Sequence, residues 1–203
     1  MSIMDRQSFS DIYANEPPWV IHRPQKGIVE IADQIRGSIL DIGCGTGDNA
    51  IFFAKRGERV TGIDFLPGPI QLARENAKKE GVTIDFRVED ALQLSTWTEK
   101  FDHLIDSGLF HVFDDTDRIR YVQGLKTVLH SGGKLVLLCF SVEEPGEQGP
   151  RRVSIEELGK TFAVSDWAIE SIQADRYEVR ENLKNISFSE NGPKAWRLIA
   201  RRK

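Results

Sequence analysis

The run Ser-Ile-Leu-Asp-Ile-Gly-Cys-Gly-Thr-Gly, residues 38–47, constrains this chain more than any other segment. A short apolar strand runs directly into a turn carrying glycine at every second position, and a helical pattern follows from Asp48. Gly43, Gly45 and Gly47 let the backbone turn tightly and approach a ligand where a side chain would collide. Some twenty residues on, a second strand ends in Asp64. Strand, glycine turn, helix and acid-ended strand in that order build a nucleotide-binding crevice at the first strand–helix junction of an α/β sheet.

The pattern beyond the turn fits such a sheet. Strands are expected at 38–43, 58–64, 83–88, 101–106, 133–140, 167–174 and 195–201, with helices at 48–56, 68–80, 115–129 and 154–163. Near-continuous apolar strands such as Lys-Leu-Val-Leu-Leu-Cys-Phe, 134–140, imply a sheet covered on both faces. Alternating elements of this kind predict a doubly wound, mostly parallel, seven-stranded α/β sheet: five strand–helix steps, then two strands closing as a hairpin with one of them antiparallel. Ahead of the sheet lie two amphipathic stretches, 7–15 and 25–35, separated by Pro17-Pro18-Trp19, where helix cannot continue. They are expected to form an N-terminal helical cap (1–36) over an α/β core (37–203) within a single domain, 1–203.

Charge and cysteine content narrow the partners. A formal net charge of -4 argues against nucleic acid, whose phosphates require a basic face. The two cysteines, Cys44 and Cys139, provide no disulfide framework and suit a reducing, cytoplasmic setting as small packing residues. No apolar run has the length to cross a bilayer, and the first ten residues lack a signal-peptide core. No histidine–carboxylate set has metal-ligand spacing, so no metal is expected.

Around the glycine turn, acids recur. Asp41 places a negative charge at the end of the first strand, which suits a cationic ligand bearing an amino group better than a pyrophosphate. The order Asp-Ile-Gly-Cys-Gly-Thr-Gly also departs from the dinucleotide spacing G-x-G-x-x-G, because position 48 is Asp. Asp64 can accept hydrogen bonds from both hydroxyls of a ribose. Asp90-Ala91, after the third strand, offers an acceptor near an adenine amine or simply an N-cap for a short turn. Asp114, Asp115 and Asp117 open a predicted helix and read as capping and helix-dipole residues.

This series, D-x-G-C-G-T-G, G-I-D, E-D-A and F-D-H-L-I-D, resembles the ordered motifs of class I S-adenosylmethionine-dependent methyltransferases over almost the whole chain. Pro-Pro-Trp-Val-Ile-His-Arg-Pro-Gln, 17–25, is similar to the P-W-D-x-G-R-P element of the thiopurine, thiol and halide methyltransferase subgroup. Gln-Gly-Pro-Arg-Arg-Val-Ser-Ile-Glu-Glu-Leu, 148–158, resembles that subgroup's G-P-x-x-V-S-x-x-E-L stretch. The resemblance implies a Rossmann-like fold and a site assignment. Asp41, Gly43, Cys44 and Gly45 would line the methionine portion of the cofactor. Asp64 would hold the ribose and Phe65 would lie against the adenine, with Asp90 and Ala91 at its amine and ring. Asp106 would sit near the sulfonium, and Trp19 would descend from the cap. Three departures stand out: Val20 replaces the subgroup's aspartate, His22 replaces its glycine, and Ser107 stands where thiopurine methyltransferases carry an arginine.

For the acceptor, Ser107 and His111 leave the fourth strand at the expected position. His111 is a candidate base or a donor to an anionic substrate, or a packing residue of the loop. Arg151 and Arg152 follow a glycine- and proline-rich loop able to fold over the site and present a cation, or to serve as a plain hinge. The expected activity is methyl transfer from S-adenosylmethionine to a small-molecule acceptor, a soft nucleophile such as a thiol or halide. O- or N-methylation of a metabolite and non-catalytic binding of S-adenosylmethionine are the alternatives. A monomer or weak homodimer is expected, with no membrane partner.

Overall fold

The computed structural model describes residues 17–147, 149–163, 166–180 and 188–203. The amphipathic stretch expected at 7–15, and with it the first part of the cap, lies outside the described residues.

Seven strands form one sheet: β1 (Ser38–Ile42), β2 (Arg59–Asp64), β3 (Asp85–Val88), β4 (Phe101–Ser107), β5 (Leu129–Phe140), β6 (Trp167–Arg176) and β7 (Lys194–Arg202). Their order is β3-β2-β1-β4-β5-β7-β6. The first five pair in parallel, whereas β7 runs antiparallel to both β5 and β6. β7 is therefore the reversed strand, and β6 points the same way as the first five. From β1 the chain winds outward through β2 and β3, then returns to β4 on β1's other side. The connections that leave β1 and β4 diverge there, opening a crevice at the C-terminal ends of the parallel strands.

Among the described residues five helices flank the sheet: α1 (Lys26–Val29), α2 (Asp48–Lys55), α3 (Pro67–Lys79), α4 (Asp115–Val128) and α5 (Ile155–Phe162). β1 is buried along its entire length, and its side chains alternate between two cores. Leu40 and Ile42 pack with Leu104, Leu137, Tyr121 and Leu125 under α4 and α5. Ile39 packs with Ile105, Phe53 and Ile70 under α2 and α3. Both faces of the sheet are thus covered, as the apolar strands required.

Two expectations need correction. The connection between β3 and β4 holds a 3-10 turn, Ala91–Thr96, where a fifth strand–helix step was expected. The 12 residues from 89 to 100 have to cross the sheet and return, and they do so with a single capped turn. Residues 25–35 form α1 and a separate 3-10 turn, Ala32–Gln34, although Ile28, Ile31, Ala32 and Ile35 keep helical spacing and pack into the second core. β6 and β7 pair antiparallel, as the closing hairpin expected of them, with the 17 residues 177–193 joining them. Among the described residues no helix is long and apolar enough to cross a membrane. Cys44 and Cys139 are buried and free.

Candidate active site

The glycine turn is the floor of the crevice. Gly43, Gly45 and Gly47 have φ of 69°, 53° and 86°, and Gly47 is the N-cap of α2. A Cβ at Gly47 would lie 2.9 Å from the Phe86 ring and 3.1 Å from Ala73, so the turn sits against β3 and α3 only because that position is glycine. The turn is pinned from β2: Cys44 N donates to Ile63 O at 2.8 Å, and Gly45 N donates to Asp64 Oδ2 at 3.1 Å. Leu66 N donates to Asp64 Oδ1 at 3.0 Å. Burial pushes the Asp64 carboxyl above the usual carboxylate range, against the pull of the Leu66, Gly45 and Phe65 amides. Three amides draw on a carboxylate with about four acceptor sites, so it retains capacity for a further donor.

A cavity of 710 Å³ rises from this floor. Its inner end is walled by Gly43, Cys44, Gly45, Asp64, Phe65, Asp90 and Ala91, with Trp19 descending from the cap. Asp90 borders the cavity and is also the N-cap of the turn that follows, its Oδ1 accepting from Leu92 N at 2.9 Å. Five of the described lining residues are acids (Asp48, Asp64, Glu89, Asp90 and Asp117), against the single full cation of Arg23. Arg23 is itself paired with Glu178 at 2.8 Å. Such a wall favours a ligand carrying positive charge.

Two acids expected at the ligand lie behind the wall. Asp41 is 1% exposed and does not line the cavity. It accepts from Ala50 N in α2, its Oδ2 is buried without a partner, and burial pushes its carboxyl up to about 7. Asp106 is fully buried, accepting from Leu109 N at 2.8 Å, Phe110 N at 3.0 Å and Tyr121 OH at 2.7 Å. Burial raises its carboxyl to about 6 against the pull of those hydrogen bonds. Asp106 folds the 3-10 turn Phe110–Val112 that carries His111, and its oxygens are taken up by that task.

The outer end is aromatic. Phe113, Phe140, Tyr177 and Phe188 wall it together with Leu109, Val112, Val179 and Pro150. Ser107 and His111 contribute the polar groups. His111 Nδ1 accepts from Phe140 N at 3.0 Å, so a neutral ring carries its proton on Nε2. Burial, aided by Arg118 and Arg152, pushes its pKa down to about 3. The ring is therefore a neutral donor, and the lone pair a base would use is already engaged. Ser107 hydrogen-bonds the Tyr177 phenol, which in turn donates to Leu138 O.

Neither arginine reaches this chamber. Arg151 pairs with Asp115 at 2.6 Å and Glu157 at 2.5 Å. Arg152 donates to the carbonyls of Glu144, Pro150 and Gly146 and stacks 5.2 Å over the Phe140 ring. Local acids and loop carbonyls outcompete the cavity for both guanidinium groups. Asp114 and Ser154 are N-caps of α4 and α5, accepting from Asp117 N and Glu157 N. Sequence reasoning missed Phe113, Phe140, Tyr177 and Phe188. The available signal was the interval between the last two expected strands, 174 to 195, too long for a hairpin loop and hence a candidate wall.

The comparisons agree with this geometry. Residues 39–133 match the family described as "Methyltransferase domain". The chain is 33% identical over 168 residues to a 2-heptyl-1-hydroxyquinolin-4(1H)-one methyltransferase of Mycobacteroides abscessus, covering 80% of this chain and 74% of the relative. It is 30% identical over 160 residues to a probable thiol methyltransferase 2 of Arabidopsis thaliana, covering 73% and 68%. Among solved structures, one from work on the conversion of a disulfide bond into a thioacetal group during echinomycin biosynthesis superposes with a TM-score of 0.84. It shares 31% identity, over 98% of this chain and 93% of that one.

Proposed function

This chain belongs to the S-adenosylmethionine-dependent methyltransferases that act on small molecules, and we propose that its acceptor is an apolar, ring-bearing molecule methylated on an acidic hydroxyl. The observation that carries the acceptor class is His111: a neutral donor with its lone pair engaged, set in an aromatic chamber. Among the described residues assigned to that chamber, none is a carboxylate or a second histidine that could take a proton. An acceptor must then arrive as its own anion, which an acidic N-hydroxyl or phenol-like group achieves near neutral pH. The Mycobacteroides relative is named for a molecule with a 1-hydroxyl, a ring carbonyl and a heptyl chain, which fits a chamber of this composition.

At the inner end, Asp64 would accept from the ribose hydroxyls and Phe65 would lie against the adenine. Asp90 and Ala91 would meet the adenine edge, Gly43, Cys44 and Gly45 would admit the methionine portion, and Trp19 would close over it. The remaining acceptor capacity of Asp64 and the glycine floor, too tight for a side chain at Gly47, fit that ligand. When bound, the sulfonium supplies an activated methyl carbon and leaves as a neutral thioether. The protein aligns the acceptor oxygen in line with that carbon, excludes water with the aromatic wall, and holds the His111 proton on Nε2 to steady the attacking anion. Oxygen–carbon bond formation and carbon–sulfur bond cleavage cancel one negative and one positive charge, so no proton has to move.

A thiolate meets the same requirements, and the likeness to the Arabidopsis thiol methyltransferase favours it as the second reading. A bare halide is disfavoured, because Arg151 and Arg152 are tied to acids and carbonyls and, among the described residues, no other full cation but the paired Arg23 lines the cavity. The test is the pH dependence of kcat/KM for two acceptors of different acidity, an N-hydroxyquinolone and a less acidic phenol. The midpoint is expected to follow the acceptor's own pKa. One midpoint near 6.5 shared by both acceptors would overturn the proposal, because an enzyme histidine would then be taking the proton.

A further inference from the structure

Two separate segments roof the aromatic chamber. The loop after β5 supplies Pro150, and the β6–β7 connection supplies Tyr177, Val179 and Phe188. Neither belongs to a helix or strand at these positions apart from the ends of β5 and β6, so something else has to fix their spacing. Glu144 lies between them, 3% exposed. Its Oε1 accepts from Ser189 N at 2.9 Å and its Oε2 from Lys194 N at 2.8 Å. One carboxylate thus grips both sides of the bend that follows Phe188. On its own loop, the Glu144 carbonyl accepts from Arg152 Nε at 3.3 Å, and the same guanidinium holds Pro150 O and Gly146 O. The Phe140 ring lies under that guanidinium at 5.2 Å and meets the Phe188 ring edge-on at 6.0 Å.

We propose that Glu144 is a positioning residue for the acceptor: its carboxylate clamps the β6–β7 connection to the β5–α5 loop and so sets the place of Phe188 in the chamber wall. The clamp contains no group that touches the inner end of the cavity, so it acts on the acceptor and not on the cofactor. Burial alone would raise the Glu144 carboxyl, but the Lys194 and Ser189 amides hold it below its ordinary value, consistent with an anion gripped by two donors. The proposal rests on the aromatic chamber being the acceptor site, and the variants separate the two ideas.

Glu144→Gln keeps the volume but offers one carbonyl oxygen to two amide donors and turns an NH2 towards the other. With 2-heptyl-1-hydroxyquinolin-4(1H)-one as acceptor, Glu144→Gln is expected to raise KM about tenfold or more, the worth of one charge-assisted hydrogen bond, with kcat little changed. S-adenosylhomocysteine affinity should stay within about twofold of wild type, since its pocket is built on β1 and β2. Amide hydrogen exchange supplies a readout independent of turnover: Ser189 and Lys194 should exchange about tenfold faster or more in the variant, while Gly45 and Cys44 are unaffected. Phe188→Ala removes the wall directly and should raise KM as well. If Phe188→Ala raises KM and Glu144→Gln does not, the clamp is wrong and the chamber stands. If neither moves KM, the chamber assignment fails and the clamp with it. Equal amide protection in variant and wild type, or a parallel loss of S-adenosylhomocysteine affinity, also overturns the clamp.

Discussion

At the scale of the residue, the site is decided by which atom of each polar side chain is already engaged. His111 gives the clearest case, because Phe140 N occupies Nδ1 and leaves Nε2 as donor. Two substitutions separate that structural bond from the chemistry. His111→Leu strands a buried amide and should cost about 1–3 kcal/mol. His111→Asn sets Oδ1 where Nδ1 stood, so most of that stability should return, yet acceptor KM should rise in both variants because the Nε2 donor is gone. The titration supplies a second signature. The folded pKa, about 3, lies below the ordinary value of 6.5, so the unfolded chain binds the proton first as the pH falls. His111 therefore contributes stability that is present above pH 6.5 and is lost towards about pH 3. Asp41 and Asp106, raised to about 7 and about 6, act in the opposite sense, which is why the comparison has to be made against a His111 variant. Between pH 7 and pH 5 wild type should lose about 2 kcal/mol relative to His111→Asn in urea unfolding, and an unchanged difference would contradict the buried neutral ring.

At the scale of the element, the β6–β7 connection supplies much of the aromatic end of the cavity. Gly192 closes it with φ of 94°, and a Cβ there would lie 2.0 Å from Tyr177 O. The strand-like pair Tyr177 N to Pro193 O, 2.9 Å, would have to part. Gly192→Ala should therefore cost about 2 kcal/mol or more in stability and raise acceptor KM, with S-adenosylhomocysteine affinity kept, as calorimetry on the purified variant can show. The same element shows what a sequence reveals. The glycine-turn end of the cavity was legible because its lining residues are local to strand ends: Gly43 and Gly45 after β1, Asp64 at the end of β2, Asp90 after β3. Their chemistry follows from position on a known winding. The aromatic end was not, because Phe113, Phe140, Tyr177 and Phe188 come from three segments far apart in the chain, and a lone aromatic in a loop reads as packing. Asp41 and Asp106 were placed at the ligand because a sequence shows where a strand ends but not which amides fold back onto its last carboxylate. Arg151 was misplaced for a related reason, since Asp115, 36 positions away, reaches it first.

At the scale of the whole molecule, the cavity joins parts that are otherwise distant in the chain. The cap is stitched to the β6–β7 connection by Gln25, whose Nε2 donates to Glu178 O at 3.0 Å and whose Oε1 accepts from Glu178 N at 2.8 Å. Arg180 N reaches Pro18 O at 2.9 Å, and buried Arg197 ties β7 to Gly27 O and Glu30. Unfolding the sheet, the cap or the roof therefore removes part of the same binding surface, and a ligand that fills it binds the native state alone. At a hundredfold excess over its Kd such a ligand adds about 2.7 kcal/mol. For a chain of 203 residues that should raise Tm by about 5–10 °C in the presence of S-adenosylhomocysteine. Asp64→Ala should lose most of the rise at the same ligand concentration, because the ribose has no other carboxylate at the end of β2. NAD should produce none: the inner wall is acidic, and the turn after β1 lacks the G-x-G-x-x-G spacing that seats a pyrophosphate on the helix N-terminus. A Tm raised by NAD and left unmoved by S-adenosylhomocysteine would mean that the acids around the glycine turn have been assigned to the wrong nucleotide.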